Sequence, residues 1–243
     1  MSLLSSWAIY KAEALIRWQH PQRGLVSPLD FIHVAEETGS IVEIGDWVFR
    51  EATRQLSQWR HRYSPDLGMS INTLPVQYHH SGDILAQWFA HIEQLDLPGQ
   101  SIIVEITEGM LMGNHAEITD KLLAFRDVGI QVALDDFGTG YSSLSYLKKF
   151  DIDFIKIDQS FVRNLEADSS DLVLCQAIII MAHKLGLKVV AEGVETEQQR
   201  QLFAAANCDY GQGYLFSKPV CAEEFAELLA DSTGRAEPLP DSA

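Results

Sequence analysis

The sequence predicts an α/β barrel, and three observations lead to this fold class. Short apolar segments rich in β-branched residues alternate with amphipathic segments of helical period along nearly the whole chain. Polar side chains stand in or at the end of almost every strand-like segment. The chain has 243 residues, a length at which an α/β barrel commonly forms one domain.

The strand-like segments are short and apolar, and they lie at residues 8–16, 67–72, 102–107, 130–135, 153–158, 187–192 and 210–216. Strands that alternate with helices are expected to be parallel, with right-handed crossovers. An eightfold barrel requires one strand more than these segments supply. We expect the missing strand to belong upstream of Trp7.

The segments between the strands have helical periodicity and helical end signals. Apolar residues three or four apart form two clear faces, one from Ile44 to Trp59 and one from Ile84 to Leu95. Ser27 before Pro28 predicts a helix start, and Thr196 with Gln199 predicts a capping box. Helix ends are predicted by three glycines, namely Gly39, Gly129 and Gly186.

The strand-end polar residues favour a barrel over an open doubly wound sheet. In a barrel the carboxyl ends of all strands meet at one mouth, whereas an open sheet would scatter several of these residues. The residues are Glu13, Asn72, Glu105, Asp135, Asp136, Lys156, Glu192 and Gln212.

The composition is strongly acidic, with 34 Asp and Glu against 18 Lys and Arg and a formal net charge of −16. This balance argues against binding of long nucleic acids, which requires clustered basic residues. A small phosphorylated ligand remains compatible with it, provided that metal ions neutralise the site.

Cysteine usage and the terminal segments suggest a cytoplasmic protein, or the cytoplasmic part of a longer membrane-linked one. The three cysteines lack metal-ligand spacing and are expected to be free or buried thiols. No apolar run reaches the ~18 residues of a membrane span, and the first residues do not resemble a signal peptide. Residues 1–231 are predicted to form one domain, and residues 232–243 a disordered tail.

Five of the strand-end residues have oxygen side chains that suit a hard divalent cation. A carboxylate inside an apolar strand is costly unless it is paired or bound to metal. The oxygen donors favour Mg²⁺ or Mn²⁺, and the histidines show no zinc-type pairing. Each residue alone has a structural explanation, such as a helix cap or a salt bridge, but the set predicts a metal site. It comprises Glu13, Asn72, Glu105, Asp135 and Asp136.

The two adjacent aspartates raise a question of geometry. In a regular strand Asp135 and Asp136 would point to opposite faces. At a strand terminus the backbone turns, and both carboxylates can then face the barrel mouth. One aspartate shared by two cations is typical of two-metal phosphodiester cleavage.

Further residues of the same strands are candidates for binding and proton transfer. Lys156 is expected to face the interior, where it would hold a phosphate or orient water, although a structural ion pair explains it equally well. Glu192 is a candidate metal ligand or general base. Arg17 is expected to share a strand face with Glu13 and to contact phosphate. Gly138 and Gly140 predict either a plain turn or a loop that gates the site.

From about Lys11 to about Leu229 the sequence resembles the EAL-domain phosphodiesterases of bacterial cyclic di-GMP signalling. The resemblance rests on six strings taken together, since a three-letter motif alone would be uninformative. They are AEALIRW at 12–18, EITE at 105–108, DDFGTGYSSL at 135–144, KIDQSFV at 156–162, AEGVET at 191–196 and GQGYLFSKP at 211–219.

The resemblance implies a modified (β/α)₈ barrel of TIM type, with one strand antiparallel, that hydrolyses cyclic di-GMP to linear pGpG with two Mg²⁺ or Mn²⁺ ions. Glu13, Asn72, Glu105 and Asp135 match ligands of one metal, and Asp135 and Asp136 serve the second. The remaining matches concern water, the second metal, the loop after Asp136 and the ligand. Three residues match positions around the attacking water and the second metal, namely Lys156, Glu192 and Gln212. Glu108 matches the residue that anchors the loop, and Leu15 and Arg17 match residues that contact the ligand. The resemblance also implies a homodimer and sensor or cyclase domains outside this chain.

Two departures from the family pattern stand out. Where the family has a string close to NLSARQ after the strand asparagine, this chain has Asn72 followed by TLPVQ, which is expected to alter ligand affinity or loop shape. The opening strand of the family, with its Tyr-Gln-Pro string, is expected to be missing, which would expose a sheet edge.

The leading hypothesis is therefore a metal-dependent hydrolase, because every carboxylate position of the motif is occupied. Two alternatives remain. One is a catalytically inactive cyclic di-GMP receptor, and the other is a dimerising regulatory module that has lost catalysis.

Overall fold

The computed structural model describes residues 1–4, 7–74, 77, 84–112, 115–140, 147 and 150–233. Ten strands lie in these ranges: β1 Ser2–Leu3, β2 Lys11–Ala14, β3 Trp18–His20, β4 Gly24–Val26, β5 Gly68–Asn72, β6 Ile102–Thr107, β7 Gln131–Phe137, β8 Phe154–Ile157, β9 Lys188–Ala191 and β10 Tyr210–Gly211.

Helices fill the intervals between the strands. They are α1 Ile32–Thr38, α2 Ile41–Arg62, α3 Ile84–Gln94, α4 His115–Asp127, α5 Gln159–Val162, α6 Ser170–Lys184, α7 Glu197–Ala205 and α8 Ala222–Thr233. Within the described ranges, short 3₁₀ helices lie at Pro28–Asp30, Gly99–Ser101 and Glu108–Met112. Since α8 ends at Thr233, the predicted tail overlaps it by two residues, and residues 234–243 lie outside the described residues.

Eight strands form one sheet in the order β1-β10-β9-β8-β7-β6-β5-β2. Every neighbouring pair is parallel except β1 with β10, which is antiparallel. At the open end of this order, the Met1 carbonyl accepts hydrogen bonds from the N–H groups of Tyr10 and Lys11. The two edges of the sheet therefore meet, and the sheet is a nearly closed barrel with one antiparallel strand, as predicted.

The opening strand is present in shortened form rather than missing. Ser2–Leu3 pairs with Gly211 and Tyr210, upstream of Trp7 where an eighth strand was expected. Two residues are too few to show a strand period in the sequence. The exposed seam that a missing strand would leave is covered in part, since Leu4 is buried and its carbonyl accepts a hydrogen bond from Arg200.

The predicted strands agree with the observed ones in place and differ at their ends. The segment predicted at 8–16 is a strand only at Lys11–Ala14, and the one at 210–216 only at Tyr210–Gly211. A two-stranded hairpin, β3 with β4, was not predicted. Its residues are mostly exposed, so the apolar alternation on which the prediction relied is absent there.

The helix end signals work as the sequence predicts. Thr196 and Gln199 form a complete capping box at the start of α7. Gly39, Gly129 and Gly186 have φ values of 76°, 80° and 79°, a left-handed conformation that favours glycine. Pro28 occupies the first turn of a 3₁₀ helix after Ser27, whose side chain makes no capping hydrogen bond.

The core consists of two layers. The larger packs the helices against the outer face of the barrel, with Phe49, Trp88 and Phe125 fully buried. The smaller fills the barrel below its mouth with Ile103, Ala133, Phe154, Val190 and Tyr210. The interior is thus closed at the bottom, and its polar side chains gather above this apolar plug.

Among the described residues, none of the helices combines the length and apolar character needed to cross a bilayer. The cytoplasmic location stays a prediction. Cys175 and Cys208 are buried free thiols and Cys221 is an exposed one, as the cysteine spacing predicted.

Candidate metal centre

The strand-end polar residues meet because parallel strands bring their carboxyl ends to one mouth. Asn72 at the end of β5 is paired in register with Glu105 of β6, and Thr107 of β6 with Asp135 of β7. Side chains two apart along a strand share a face, so Glu105 lies above Ile103 of the interior plug.

Lys156 lies at the centre of the site and is 1% exposed. Its Nζ is 2.7 Å from Glu105 Oε2, 2.7 Å from Glu192 Oε1 and 3.1 Å from Asp135 Oδ1. One ammonium thus contacts carboxylates from three other strand ends. It offsets part of their mutual repulsion at a buried position.

Glu13 occupies the opposite side of the mouth, at the end of β2. Its Oε1 accepts a hydrogen bond from Asn72 Nδ2 at 2.8 Å, and its Oε2 accepts one from the Gln212 amide. This contact orients the Asn72 amide so that its nitrogen faces Glu13. The oxygen of Asn72 is the atom left for a cation.

Asp135 and Asp136 both reach the mouth because the backbone of β7 is irregular between Leu134 and Phe137. Asp136 has φ 54°, a left-handed conformation in which Asp is tolerated better than most residues. Its N–H donates to Asp135 Oδ1 at 3.0 Å. As a result Asp135, Asp136 and Glu192 each offer a carboxylate oxygen, and these oxygens lie within 4.8 Å of one another.

Burial and like charges raise the pKa values of several of these carboxyls. Burial raises the pKa of Glu105 to about 7 and that of Glu192 to about 8, against the attraction of Lys156. Burial and the neighbouring Asp135 also raise the pKa of Asp136. The pKa of Glu13 is lowered instead. Burial alone would raise this pKa, but the charge of Lys156 and the hydrogen bonds from Gln212 and Asn72 outweigh burial.

The donor set fits divalent cations that prefer oxygen. The cluster carries four net negative charges when its carboxylates are ionised, which two divalent cations would balance. It consists of one ammonium, Lys156, and five carboxylates, those of Glu13, Glu105, Asp135, Asp136 and Glu192. Glu105 Oε1 and Gln212 Oε1 are buried without a hydrogen-bond partner in the described part of the chain. Buried polar oxygens are rarely left unpaired, so a ligand at this site is expected to meet them.

Glu108 lies beside this mouth, at the start of the 3₁₀ helix after β6. It is 8% exposed, and its two carboxylate oxygens have no hydrogen-bond partner among the described residues. They face Gly140, where an added Cβ would come within 3.3 Å of Oε2. Gly140 thus leaves room for the Glu108 carboxylate against the loop that follows Asp136.

Leu15 and Arg17 lie outside this cluster. The strand β2 ends at Ala14, so the expectation that Arg17 shares a strand face with Glu13 is wrong. Leu15 is 43% exposed, and the exposed Arg17 donates to the carbonyl of Ile16 at 2.8 Å. Both residues follow the end of β2 on the path to the hairpin.

Two further residues, Asp158 and Thr73, contact the cluster, and a third, Gln77, holds the segment after Asn72; the sequence did not identify them as site residues. The Asp158 carboxylate lies close enough to Asp136 to help raise the pKa of Asp136, and it caps α5 by accepting a hydrogen bond from Ser160 N at 2.9 Å. Thr73 holds the carbonyl of Glu105, and Gln77 holds the N–H of Leu74. Asp158 carried the same signal as Asp135, an aspartate at the end of a predicted strand segment. The contact of Thr73 with Glu105 joins segments far apart in the chain and has no local signal, whereas the bond between Gln77 and Leu74 spans only three residues.

Comparison with known proteins gives consistent results. A family model described as EAL domain matches residues 1–219. The chain is 39% identical over 227 residues to the cyclic di-GMP phosphodiesterase NbdA of Pseudomonas aeruginosa, covering 93% of this chain and 29% of NbdA. It is 41% identical over 213 residues to the cyclic di-GMP phosphodiesterase PdeR of Escherichia coli, covering 88% of this chain and 32% of PdeR.

Solved structures show the same fold. The structure of the PaMucR phosphodiesterase in complex with c-di-GMP matches with a TM-score of 0.82 and 38% identity, covering 88% of this chain and 86% of that one. The longer relatives contain additional sequence: this chain spans 27% to 32% of the length of the first three that match.

Proposed function

Because this chain belongs to the EAL domain family, we propose that it hydrolyses cyclic di-GMP to linear pGpG. The observation that carries the proposal is the cluster around Lys156, which joins Glu105, Asp135 and Glu192 at one barrel mouth. Relatives that have lost catalysis are expected to have lost such carboxylates, whereas here each of the predicted positions is occupied.

Two Mg²⁺ or Mn²⁺ ions are the proposed cofactors. Glu13, Asn72, Glu105 and Asp135 would hold one ion, and Asp135 with Asp136 the other. When bound, such ions supply a water of lowered pKa and neutralise phosphate charge. The oxygen donors support this assignment over zinc, and the balance of charge supports two divalent ions.

Side chains around the ions then position and deprotonate the attacking water. Glu192 accepts the water proton on its carboxylate, while the Lys156 ammonium, 2.7 Å from Glu192 Oε1, holds that carboxylate in place. Gln212 fixes Glu13 by donating to its Oε2. Lys156 also adds positive charge that opposes the negative charge on the phosphate, and the leaving oxygen takes up a proton from solvent water as its bond to phosphorus breaks.

Substrate binding is proposed for Leu15 and Arg17, at the rim beyond β2. Leu15 offers an exposed apolar surface to a guanine base, and the Arg17 guanidinium suits a phosphate. Glu108 is proposed to anchor the loop that follows Asp136, because its carboxylate lies against Gly140.

We further propose that the chain forms a homodimer, and that sensor or cyclase domains accompany it in a longer protein. The apolar outer face of α6 supports the first part, with Val173 64% exposed and Ile180 61% exposed. The limited share of the relatives' length that this chain spans supports the second.

The test is incubation with cyclic di-GMP in Mg²⁺ or Mn²⁺, followed by chromatographic separation of pGpG. We expect pGpG with either ion, none in excess chelator, and none from the Glu13→Gln variant. Cyclic di-GMP binding without product in both metals would identify an inactive receptor instead. Absence of binding and product together would leave a dimerising regulatory module.

A further inference from the structure

The segment that follows β5 is held by two anchors directly after Asn72. The N–H and the hydroxyl of Thr73 both donate to the carbonyl of Glu105, each at 3.0 Å. The N–H of Leu74 donates to Gln77 Oε1 at 2.7 Å, and the N–H of Gln77 donates back to the Leu74 carbonyl at 3.1 Å. The two residues after Asn72 are therefore fixed at their backbone N–H groups.

Gln77 links this segment to helix α2. Its side chain is 2% exposed, and its Nε2 donates to the carbonyl of Ile41 at 3.4 Å. The amide rests on Gly45, where an added Cβ would overlap Gln77 Nε2. Glycine within a helix is less stable than alanine, so its presence at residue 45 has a packing reason.

We propose that Gln77, seated on Gly45, is a positioning residue that orients Asn72 towards the metal centre. This inference rests on the proposed function, because it assumes that Asn72 contributes an oxygen to a cation.

The physical reason lies in the position of Asn72. It is the last residue of β5 and its side chain is exposed, so packing does not fix it. The direction of its amide depends on the backbone that follows and on the contact with Glu13. Groups that orient a metal ligand from outside typically change metal affinity by about 10–100-fold when they are removed.

This arrangement also accounts for the departure from the family string after Asn72. Gln77 remains at the sixth position of the string, where the family also has glutamine, whereas Thr73 and Leu74 differ from it. The Thr73 hydroxyl adds a hydrogen bond to Glu105, a second proposed ligand of the same ion. The substituted residues thus keep both proposed ligands tied together.

Two variants remove the Gln77 contact from opposite sides. Gln77→Met keeps the length of the side chain and removes its hydrogen bonds. Gly45→Ala displaces the Gln77 amide while it favours helix formation in α2. Thr53→Val is the matched control, because Thr53 is buried in the same helix and bonds only to helix carbonyls in the described structure, at 2.7 Å from Phe49 O.

Mn²⁺ binding by calorimetry is the primary readout, with thermal unfolding in chelator alongside. We expect Gln77→Met and Gly45→Ala each to weaken binding of Mn²⁺ about 10-fold or more, and the double variant to lose no more than the stronger single one. Thr53→Val should lower the melting temperature with Mn²⁺ affinity unchanged.

Unchanged Mn²⁺ affinity in Gly45→Ala and Gln77→Met would overturn the inference and leave Gln77 a structural residue. Failure of the unaltered chain to bind Mn²⁺ would overturn it too. If the chain binds Mn²⁺ but releases no pGpG, the proposed function fails, while the affinities still decide the role of Gln77.

Discussion

At the scale of single residues, the mouth of the barrel concentrates charge that folding alone would not favour. Lys156 contacts three carboxylates and is almost fully buried, and Asp136 adopts a left-handed backbone conformation to join them. Backbone conformations of this type cost about 1–3 kcal/mol and are typical of functional sites. Substitutions at these two residues can therefore separate the effect of charge from the effect of backbone conformation.

Asp136→Asn and Asp136→Ala test whether residue 136 is needed for its charge. Asn tolerates the left-handed conformation, so Asp136→Asn should unfold at nearly the original temperature, whereas Asp136→Ala should lose about 1 kcal/mol of stability. Removing a residue that only orients a metal ligand typically costs about 10–100-fold, and we expect the turnover of both variants to fall by more than that. Thermal unfolding and pGpG release measure the two effects. Full activity of Asp136→Asn would exclude a role for this carboxylate in binding metal.

Lys156→Met tests the balance of charge. Removing one partner of a buried ion pair typically destabilises a protein by about 3–5 kcal/mol, and here three carboxylates lose their ammonium. Mn²⁺ should therefore raise the melting temperature of Lys156→Met more than that of the unaltered chain. Lys184→Met, at the exposed end of α6, is the matched control. An equal response to Mn²⁺ in all three proteins would argue against a cation site beside Lys156.

At the scale of elements, ion pairs and caps fix the helices to the strands at the closed end of the barrel. Asp209, just before β10, accepts hydrogen bonds from His183 of α6 at 2.8 Å and from Lys188 of β9 at 2.7 Å. The N–H of Val189 donates to the same carboxylate at 2.9 Å. One carboxylate thus joins two strands and a helix.

Asp209→Asn is expected to show the pH dependence of this junction. Burial by itself would raise the pKa of Asp209, but the bonds from Lys188, His183 and Val189 hold that pKa below its ordinary value. The stability it contributes is present above the unfolded pKa of ~3.9 and is lost as pH falls through the lower folded value. At pH 7 the variant should lose about 1.5–3 kcal/mol of unfolding free energy, because hydrogen bonds to a charged group are lost. Urea unfolding should show that the stability difference between Asp209→Asn and the unaltered chain is smaller near pH 3 than at pH 7. A difference that stays constant with pH would contradict this prediction.

At the scale of the whole molecule, α6 is apolar on both sides. Leu172, Cys175 and Ile179 pack on the barrel, while Val173 and Ile180 are exposed on the opposite side. A helix that is apolar all round is normally buried, so the outer face is expected to be covered by a second copy of the chain.

Ile180→Lys tests this surface. A lysine within an apolar interface would be desolvated, so we expect the variant to have the monomer mass of 27.2 kDa by light scattering, and the unaltered chain twice that mass. Gln58→Lys, which makes a positive charge on the exposed side of α2, is the control and should remain dimeric. A monomeric unaltered chain would contradict the homodimer.

The sequence by itself determined what depends on local pattern: the alternation of strands and helices, the capping box at Thr196, the glycine helix ends and the polar residues that terminate the strands. These follow from residue type and spacing over a few positions. Only the tertiary structure decided that Ser2–Leu3 closes the sheet, that β7 is irregular at Asp136, that Arg17 leaves the strand face and that Gln77 rests on Gly45. Each of these depends on backbone direction or on contacts between residues far apart in the chain, which a short window of sequence does not encode.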